Sequence, residues 1–311
     1  MKIVYIVFLI LCTQNVQSQC LSAVNPVGGS TNLLVLEKHT LRFITFYRFN
    51  YGNRFFENAK HADFDLIKNA NYNYLGYILG YGITNKLTLE TELGYFINKT
   101  QKYNIDPEYS LTGSGFSNAV VSAKFGLFKD NFNRRYLSVS MGAKIPFTTK
   151  PQIVDGVELP IEVQPSNGAY GIVLQSFFVK ENSERGLRYF VINRFESNFR
   201  NPQEYRLGSA FYTSFFISKH LMFPWLKGDW TAIIQLRNEI RGKDKIDCCD
   251  KESTGSILFF VSPQINYYLK EKWNFSAMLD IPVYQNFRGT QLGTKMGITF
   301  NVARDFPLIQ Q

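Results

Sequence analysis

The sequence predicts an all-β fold, a transmembrane antiparallel up-and-down β-barrel of about twelve strands, and three observations lead there. The first is an inverted alternation. Leu87, Leu89, Thr91, Leu93, Tyr95 and Ile97 share one face of a strand, while Thr88, Glu90, Glu92, Gly94, Phe96 and Asn98 share the other. A soluble sandwich would bury the apolar face and expose the glutamates; a barrel in lipid turns the apolar face outward and lines its interior with the charges. The second is a rhythm in which short polar turns alternate with long loops, as in barrels with short periplasmic turns and long extracellular loops. The third is that, beyond the first dozen residues, no run reaches the ~18 apolar residues of a membrane helix, so only strands could carry this chain across a bilayer.

Composition points the same way. Among 311 residues, 28 Phe, 18 Tyr, 3 Trp and 22 Gly favour strands, tight turns and interfacial aromatic girdles. The net charge of +9 comes from cations scattered along the chain. It suits an acidic lipid surface or anionic solutes, and no nucleic-acid partner is expected of an exported protein.

In chain order, Lys2, the apolar run Ile3 to Cys12 and the small residues Val16 and Ser18 give the charge, core and exit of a secretory signal peptide over residues 1–18. A lipoprotein would place Cys20 at the new terminus, and Gln19 before it fits that signal poorly. Residues 19–39 are small, turn-rich and aperiodic, and read as a periplasmic or lumen-entering N-terminal segment. The barrel is expected over residues 40–302, with a C-terminal tail at 303–311.

The first strand is expected at Thr40 to Asn50, with Phe43, Thr45 and Tyr47 outward and Arg42 and Arg48 inward. A hairpin within Tyr74 to Asn98, closed by Thr84-Asn85-Lys86, supplies the second and third. The fourth, Gly115 to Phe128, and the fifth, Arg135 to Phe147, alternate cleanly and turn Lys124 and Lys144 inward. The sixth (Gly168 to Lys180) and seventh (Leu187 to Asn198) alternate more weakly. The eighth (Tyr205 to Ser218) places Arg206 and Tyr212 opposite Phe211 and Phe215, and the ninth (Trp230 to Arg241) sets Ile234, Leu236 and Ile240 against Gln235, Arg237 and Glu239. Strands ten to twelve are expected at Ser256 to Leu269, Trp273 to Tyr284 and Gln291 to Val302, with a loop near Asn286.

Within this pattern, Leu79-Gly-Tyr-Gly-Ile-Thr-Asn-Lys-Leu-Thr-Leu-Glu90 and the polar long loops around it resemble the outer-membrane transporters grouped under the meta-pathway of phenol degradation. The resemblance covers most of the mature chain in rhythm and only this hairpin in motif. It implies admission of small, often hydrophobic molecules, by analogy of fold. The last strand also resembles the closing strand that barrel-assembly machinery reads, although further residues follow it here.

The expected lining is Arg42, Arg48, Glu90, Glu92, Lys124, Lys144, Arg194, Glu196, Arg206, Arg237, Glu239, Asp280 and Lys295, with cations in excess. Such a set can serve as a selective pore or as a salt-bridged filling of a narrow lumen. Cys20, Cys248 and Cys249 make no disulfide framework. Asp247-Cys248-Cys249-Asp250 offers thiolates and carboxylates, but with no Cys-x-x-Cys or His spacing beside it no metal is assigned to Cys248 and Cys249, and no cofactor is expected. His39, His61 and His220 fall at a strand start, a loop and a turn, and there is no Gly-x-Ser-x-Gly elbow, so an enzyme is not expected. The functional expectation is a channel in the bacterial outer membrane for passive uptake of small hydrophobic or anionic solutes, its partners being outer-membrane lipid, solutes and the assembly machinery. A lipid-modifying barrel enzyme and a closed structural or surface-binding barrel are the alternatives.

Overall fold

The computed structural model describes residues 34–182, 184–221, 228–247, 249–269 and 272–308. The signal-peptide assignment, residues 19–33 of the N-terminal segment and Cys248 lie outside the described residues.

Twelve antiparallel strands form one closed barrel. They are β1 (Thr40–Gly52), β2 (Ile67–Thr84), β3 (Leu87–Tyr103), β4 (Ala119–Asp130), β5 (Arg135–Ile145), β6 (Gly171–Asn182), β7 (Leu187–Asn198), β8 (Ala210–Leu221), β9 (Asp229–Arg241), β10 (Ser256–Leu269), β11 (Trp273–Gly293) and β12 (Met296–Pro307). Each pairs with its neighbours in sequence. The seam closes where β1 pairs with β12 from Thr40↔Pro307 to Tyr51↔Met296, so no wall strand is left with an open edge.

The alternation read from the sequence is present in the wall. Along β3, Thr88, Glu90 and Glu92 are buried in the interior while Leu89, Tyr95 and Ile97 are exposed on the outside; along β9, Gln235, Arg237 and Glu239 are inside and Ile234, Leu236 and Ile240 outside. Inward glycines make room for inward rings. A Cβ at Gly76 would overlap the Phe46 ring, and one at Gly94 would overlap Tyr74, which accounts for the small residues that recur in the opening hairpin.

At one end the strands are joined by tight turns. Asn133 closes β4 to β5 by donating its backbone N–H and its side-chain amide to the Asp130 carboxylate, at 3.0 and 2.7 Å. Long connections occupy the other end, and they carry structure of their own: Arg54–Asn58 pairs with Lys60–His61 and with β11, Tyr109–Phe116 pairs with β3, and Tyr205–Arg206, Lys245–Ile246 and Cys249–Asp250 form a small sheet.

Those pairings move several expected boundaries. Gly115 and Phe116 belong to Tyr109–Phe116, and β4 begins at Ala119. Likewise β8 begins at Ala210, which takes Arg206 out of the wall and into the small sheet, where its Nε donates to the Asn198 carbonyl at 3.0 Å. The expected loop near Asn286 is strand. Register shifts at Phe259/Phe260 and Phe287/Thr290 break the period of two that would have revealed it, and β11 continues until it pairs with Arg54–Asn58. The turn falls instead at Thr294 and Lys295, so Lys295 is exposed there and not on the lining, and Ala303–Pro307, expected as tail, completes β12.

The outward apolar surface predicts a position-specific cost. Leu236→Arg on the outer face should destabilise the folded barrel in vesicles by about 2–4 kcal/mol, whereas Leu236→Phe should be near neutral; urea unfolding followed by Trp fluorescence measures both.

Candidate functional site

The lumen is the one place where the wall concentrates polar side chains, and from the long-loop end to the short-turn end it is divided into layers. The outermost is a cavity of about 710 Å³ with an apolar wall that includes Phe64, Tyr103, Leu111 and Leu159 and polar groups from Gln101 and Asn201. The connection between β5 and β6 folds over it. Gln164 holds this loop to itself, its Oε1 accepting from Gln152 N at 2.8 Å and its Nε2 donating to Leu159 O at 2.7 Å. Three further bonds tie the loop to the barrel: Lys99 Nζ to the Gln164 carbonyl at 3.2 Å, Asn118 Nδ2 to Ala169 O at 2.9 Å, and Lys251 to Glu162 at 3.5 Å.

Beneath the cavity lies a septum of ion pairs. Arg194 on β7 donates through both terminal nitrogens to Glu92 on β3, at 2.9 and 3.0 Å, and through Nε to Glu196 at 2.6 Å. Lys144 on β5 adds a second bond to Glu196 at 3.0 Å, Gln175 on β6 donates to Glu92 at 3.3 Å, and Lys124 on β4 pairs with Glu90 at 2.7 Å. Three strands separate β3 from β7 in the sheet, so the Arg194–Glu92 pair runs across the lumen as a chord. Lys124 and Arg194 are 0 % and 1 % exposed.

A second group sits toward β9–β12: Arg237 pairs with Glu239 at 2.7 Å and with Asp280 at 3.1 Å, and Asp280 accepts from Ser262 Oγ at 2.5 Å. Arg48 donates to Thr299 Oγ1 at 3.0 Å. Arg42 lies near the short-turn mouth, held by Asp305 at 2.6 and 2.7 Å.

Of the thirteen residues expected on the lining, the structure therefore brings eleven to the barrel interior and leaves Arg206 and Lys295 outside it. It also cuts the expected surplus of positive charge to six cations against five acids, which Asp305 beside Arg42 evens, and in the septum Lys124, Lys144 and Arg194 face Glu90, Glu92 and Glu196 one for one. Pairing is the physical reason. A charge this far from water is tolerated when an opposite charge and hydrogen bonds meet it.

The reading by charges missed the apolar half of the interior. Phe177, Val179, Phe190, Ile192, Phe216 and Ile233 form a collar on β6–β9, with Phe190 and Phe216 stacked 4.3 Å apart. Ile44, Phe46, Tyr72, Tyr74, Ile78 and Phe96 cover β1–β3. The signal was present, since Ile44 and Phe46 share parity with Arg42 and Arg48.

Residues 34–38 cross this lower part of the lumen. Leu34 packs on the collar, Leu36 is buried and its N–H donates to Thr88 Oγ1 at 2.8 Å, and Lys38 N–H donates to Asn85 Oδ1 at 2.9 Å. Below lies a mouth of about 370 Å³ lined by Arg188, Ser218, His220, Thr231 and Tyr268. His220 Nδ1 lies 3.1 Å from Asp229, within the reach that a base and its orienting acid keep in a hydrolytic site. Ser218 lines the same mouth, but its hydroxyl donates to the Arg188 carbonyl at 3.4 Å rather than to the imidazole. His39 lies 3.1 Å from the Tyr81 hydroxyl, and His61 packs on Phe56. Of the cysteine pair, Cys249 is exposed.

No protein-family model matches the chain, and no curated protein matches it. Among solved structures it is similar to the COG4313 outer membrane channel from Pseudomonas putida F1, with a TM-score of 0.69 and 13% identity over 89% of this chain and 98% of that one. It is also similar to the beta domain of the Bordetella autotransporter BrkA, with a TM-score of 0.50 and 8% identity over 86% of this chain and 100% of that one. At such identities the likeness is one of fold, that of bacterial outer-membrane barrels.

The septum predicts a non-additive pair. Arg194→Gln should cost about 3–5 kcal/mol, because Glu92 and Glu196 are left buried with one partner fewer. Adding Glu92→Gln should recover part of that loss, and a double-mutant cycle of unfolding free energies reads the coupling.

Proposed function

We propose that this chain is a bacterial outer-membrane channel for passive entry of small solutes. The observation that carries the reading is the layered lumen: a cavity at each end of one barrel, separated by a septum built from side chains and the short segment 34–38 rather than by the strands of the wall. Side chains and a short segment can move aside while every strand keeps its ladder, so opening need not break the wall. The similarity in fold to an outer-membrane channel supports the same reading.

The solute class follows from the lining. With the septal charges neutralised in pairs, bare anion focusing is weak, and the cavity at the long-loop end sets an apolar wall against amide groups and two charges of each sign, Lys150, Lys251, Glu158 and Glu162, of which Lys251 and Glu162 pair with each other. A small, partly apolar molecule with a polar end fits that surface, in agreement with what the resemblance of Leu79 to Glu90 to the meta-pathway transporters implies. The tight turns then face the periplasm and the long loops the outside.

A second reading, a lipid hydrolase, has one observation in its favour, the His220–Asp229 pair beside Ser218. Its test is direct. Labelled phospholipid should remain intact with wild-type protein, and hydrolysis that disappears in Ser218→Ala would establish the enzyme.

Conductance decides the channel. Purified protein in planar bilayers should give small openings with little preference for anions, and Leu36→Ser, which weakens the hold on residues 34–38, should raise the open fraction several-fold. A silent bilayer with both proteins would leave a closed barrel. Sidedness has its own measurement: a tag beside Asp155 should be labelled on intact cells and one at Asn85 should not.

A further inference from the structure

Arg304 is a cation on the wrong face of the wall. It shares parity with Val302 and Phe306 on the outside of β12, while Asn301 and Ala303 are buried within, and its register partners are Phe43 on β1 and Trp273 on β11. Around it the outer surface is apolar, with Phe275, Leu279 and Phe300 exposed. Its guanidinium carbon lies 4.7 Å from the centre of the Trp273 ring and 4.5 Å from that of Phe306, so two aromatic rings hold the group by cation–π contact. Trp273 is itself backed by Phe275, 6.4 Å away and near-parallel.

What remains of the group is its edge, and the edge is unspent. A guanidinium carries five N–H donors in one plane and accepts nothing. Here Nε is buried among the rings with no hydrogen-bond partner, and no carboxylate pairs with the group among the described residues, which leaves the edge formed by the two terminal nitrogens for a ligand. Every cation in the septum is matched by an acid, so this exception calls for an anion from outside the chain. The side chain sits at the level of the tight turns, beside Trp273, the first residue of β11, and three residues before the end of β12, with exposed Lys272 next in sequence to Trp273. On the membrane placement proposed above, that level is the headgroup zone of the periplasmic leaflet, where the abundant anion is the phosphate of a phospholipid.

We propose that Arg304, clamped between Trp273 and Phe306, is a binding site for the phosphate of a phospholipid headgroup. The fork of a guanidinium matches two phosphate oxygens in its own plane, and the two ring contacts hold the side chain in place before the lipid arrives. The acyl chains then lie along the apolar outer face of β11, β12 and β1.

The test uses the folded full-length barrel in detergent and is independent of conductance and of sidedness. Native mass spectrometry during titration with phosphatidylglycerol should show one lipid retained more tightly than the rest. Diacylglycerol, which lacks phosphate, should not compete, and millimolar inorganic phosphate should not displace the lipid. Arg304→Gln should lower retention about fivefold, with Arg304→Lys between the two because it keeps the charge and loses the fork. Heat-modifiable mobility on gels establishes that each variant is folded, and Arg304→Lys alone decides if Arg304→Gln does not fold. Equal retention by wild type and variant, or by diacylglycerol, overturns the site; displacement by inorganic phosphate makes it a free-anion site and overturns the lipid assignment. Failure of the channel reading would show in the bilayer recordings and would leave these outcomes untouched.

Discussion

The structure depends on one constraint: a backbone in hydrocarbon finds no water to bond, so every N–H and C=O in the wall must be satisfied by another strand. Closure is the consequence, and it is achieved at the seam between Thr40–Gly52 and Met296–Pro307, which brings together the two ends of the barrel sequence. Eleven of the twelve neighbouring pairs join strands consecutive in sequence, and each can form from local chain. The seam cannot, because it needs the whole barrel to be in place.

Closure then dictates polarity. Leu, Ile, Val and Phe meet lipid on the outer face, so Glu90, Glu92, Lys124, Arg194, Arg237 and Asp280 have only the interior left, and in a barrel of this girth the interior is narrow. Water does not reach most of them. The charges therefore pair, and because their strands surround a small lumen they pair beyond their own neighbours: Arg194 reaches across to Glu92 three strands past its neighbour, and Lys144 reaches Glu196 over the one strand between them. Such pairs contribute little net stability, since desolvation offsets attraction, yet breaking one is costly. What they supply is position. They hold a septum at one height, and the apolar collar with Leu34 and Leu36 continues it downward.

That division of labour is what makes a transport reading coherent with a filled lumen. The wall is rigid because its ladder is continuous, while the septum is a set of side chains with hydrogen-bonding alternatives close at hand, such as Gln175 beside Glu92 and Ser262 beside Asp280. The loops at the long-loop end add a second restraint, with Gln164 and Asn118 fixing the β5–β6 connection over the cavity it shapes.

The sequence by itself determined the fold class, the strand parity and the inward set of charges, because a period of two is a local property and lipid outside forces its meaning: Glu90 and Glu92 alternating with Leu89, Thr91 and Leu93 need no distant contact to be read. It also carried the inward parity of Ile44 and Phe46, which a reading confined to charges passes over. Only the tertiary structure decided what those charges do. Whether Arg194 meets solvent or Glu92 depends on the barrel's circumference and on strands far apart in the chain, and the apparent surplus of cations evens out only once Arg206 and Lys295 are placed outside the lining and Asp305 is brought to Arg42. The end of β11 was equally beyond local reading, since a bulge resets the alternation and the strand continues because Arg54–Asn58 lies beside it.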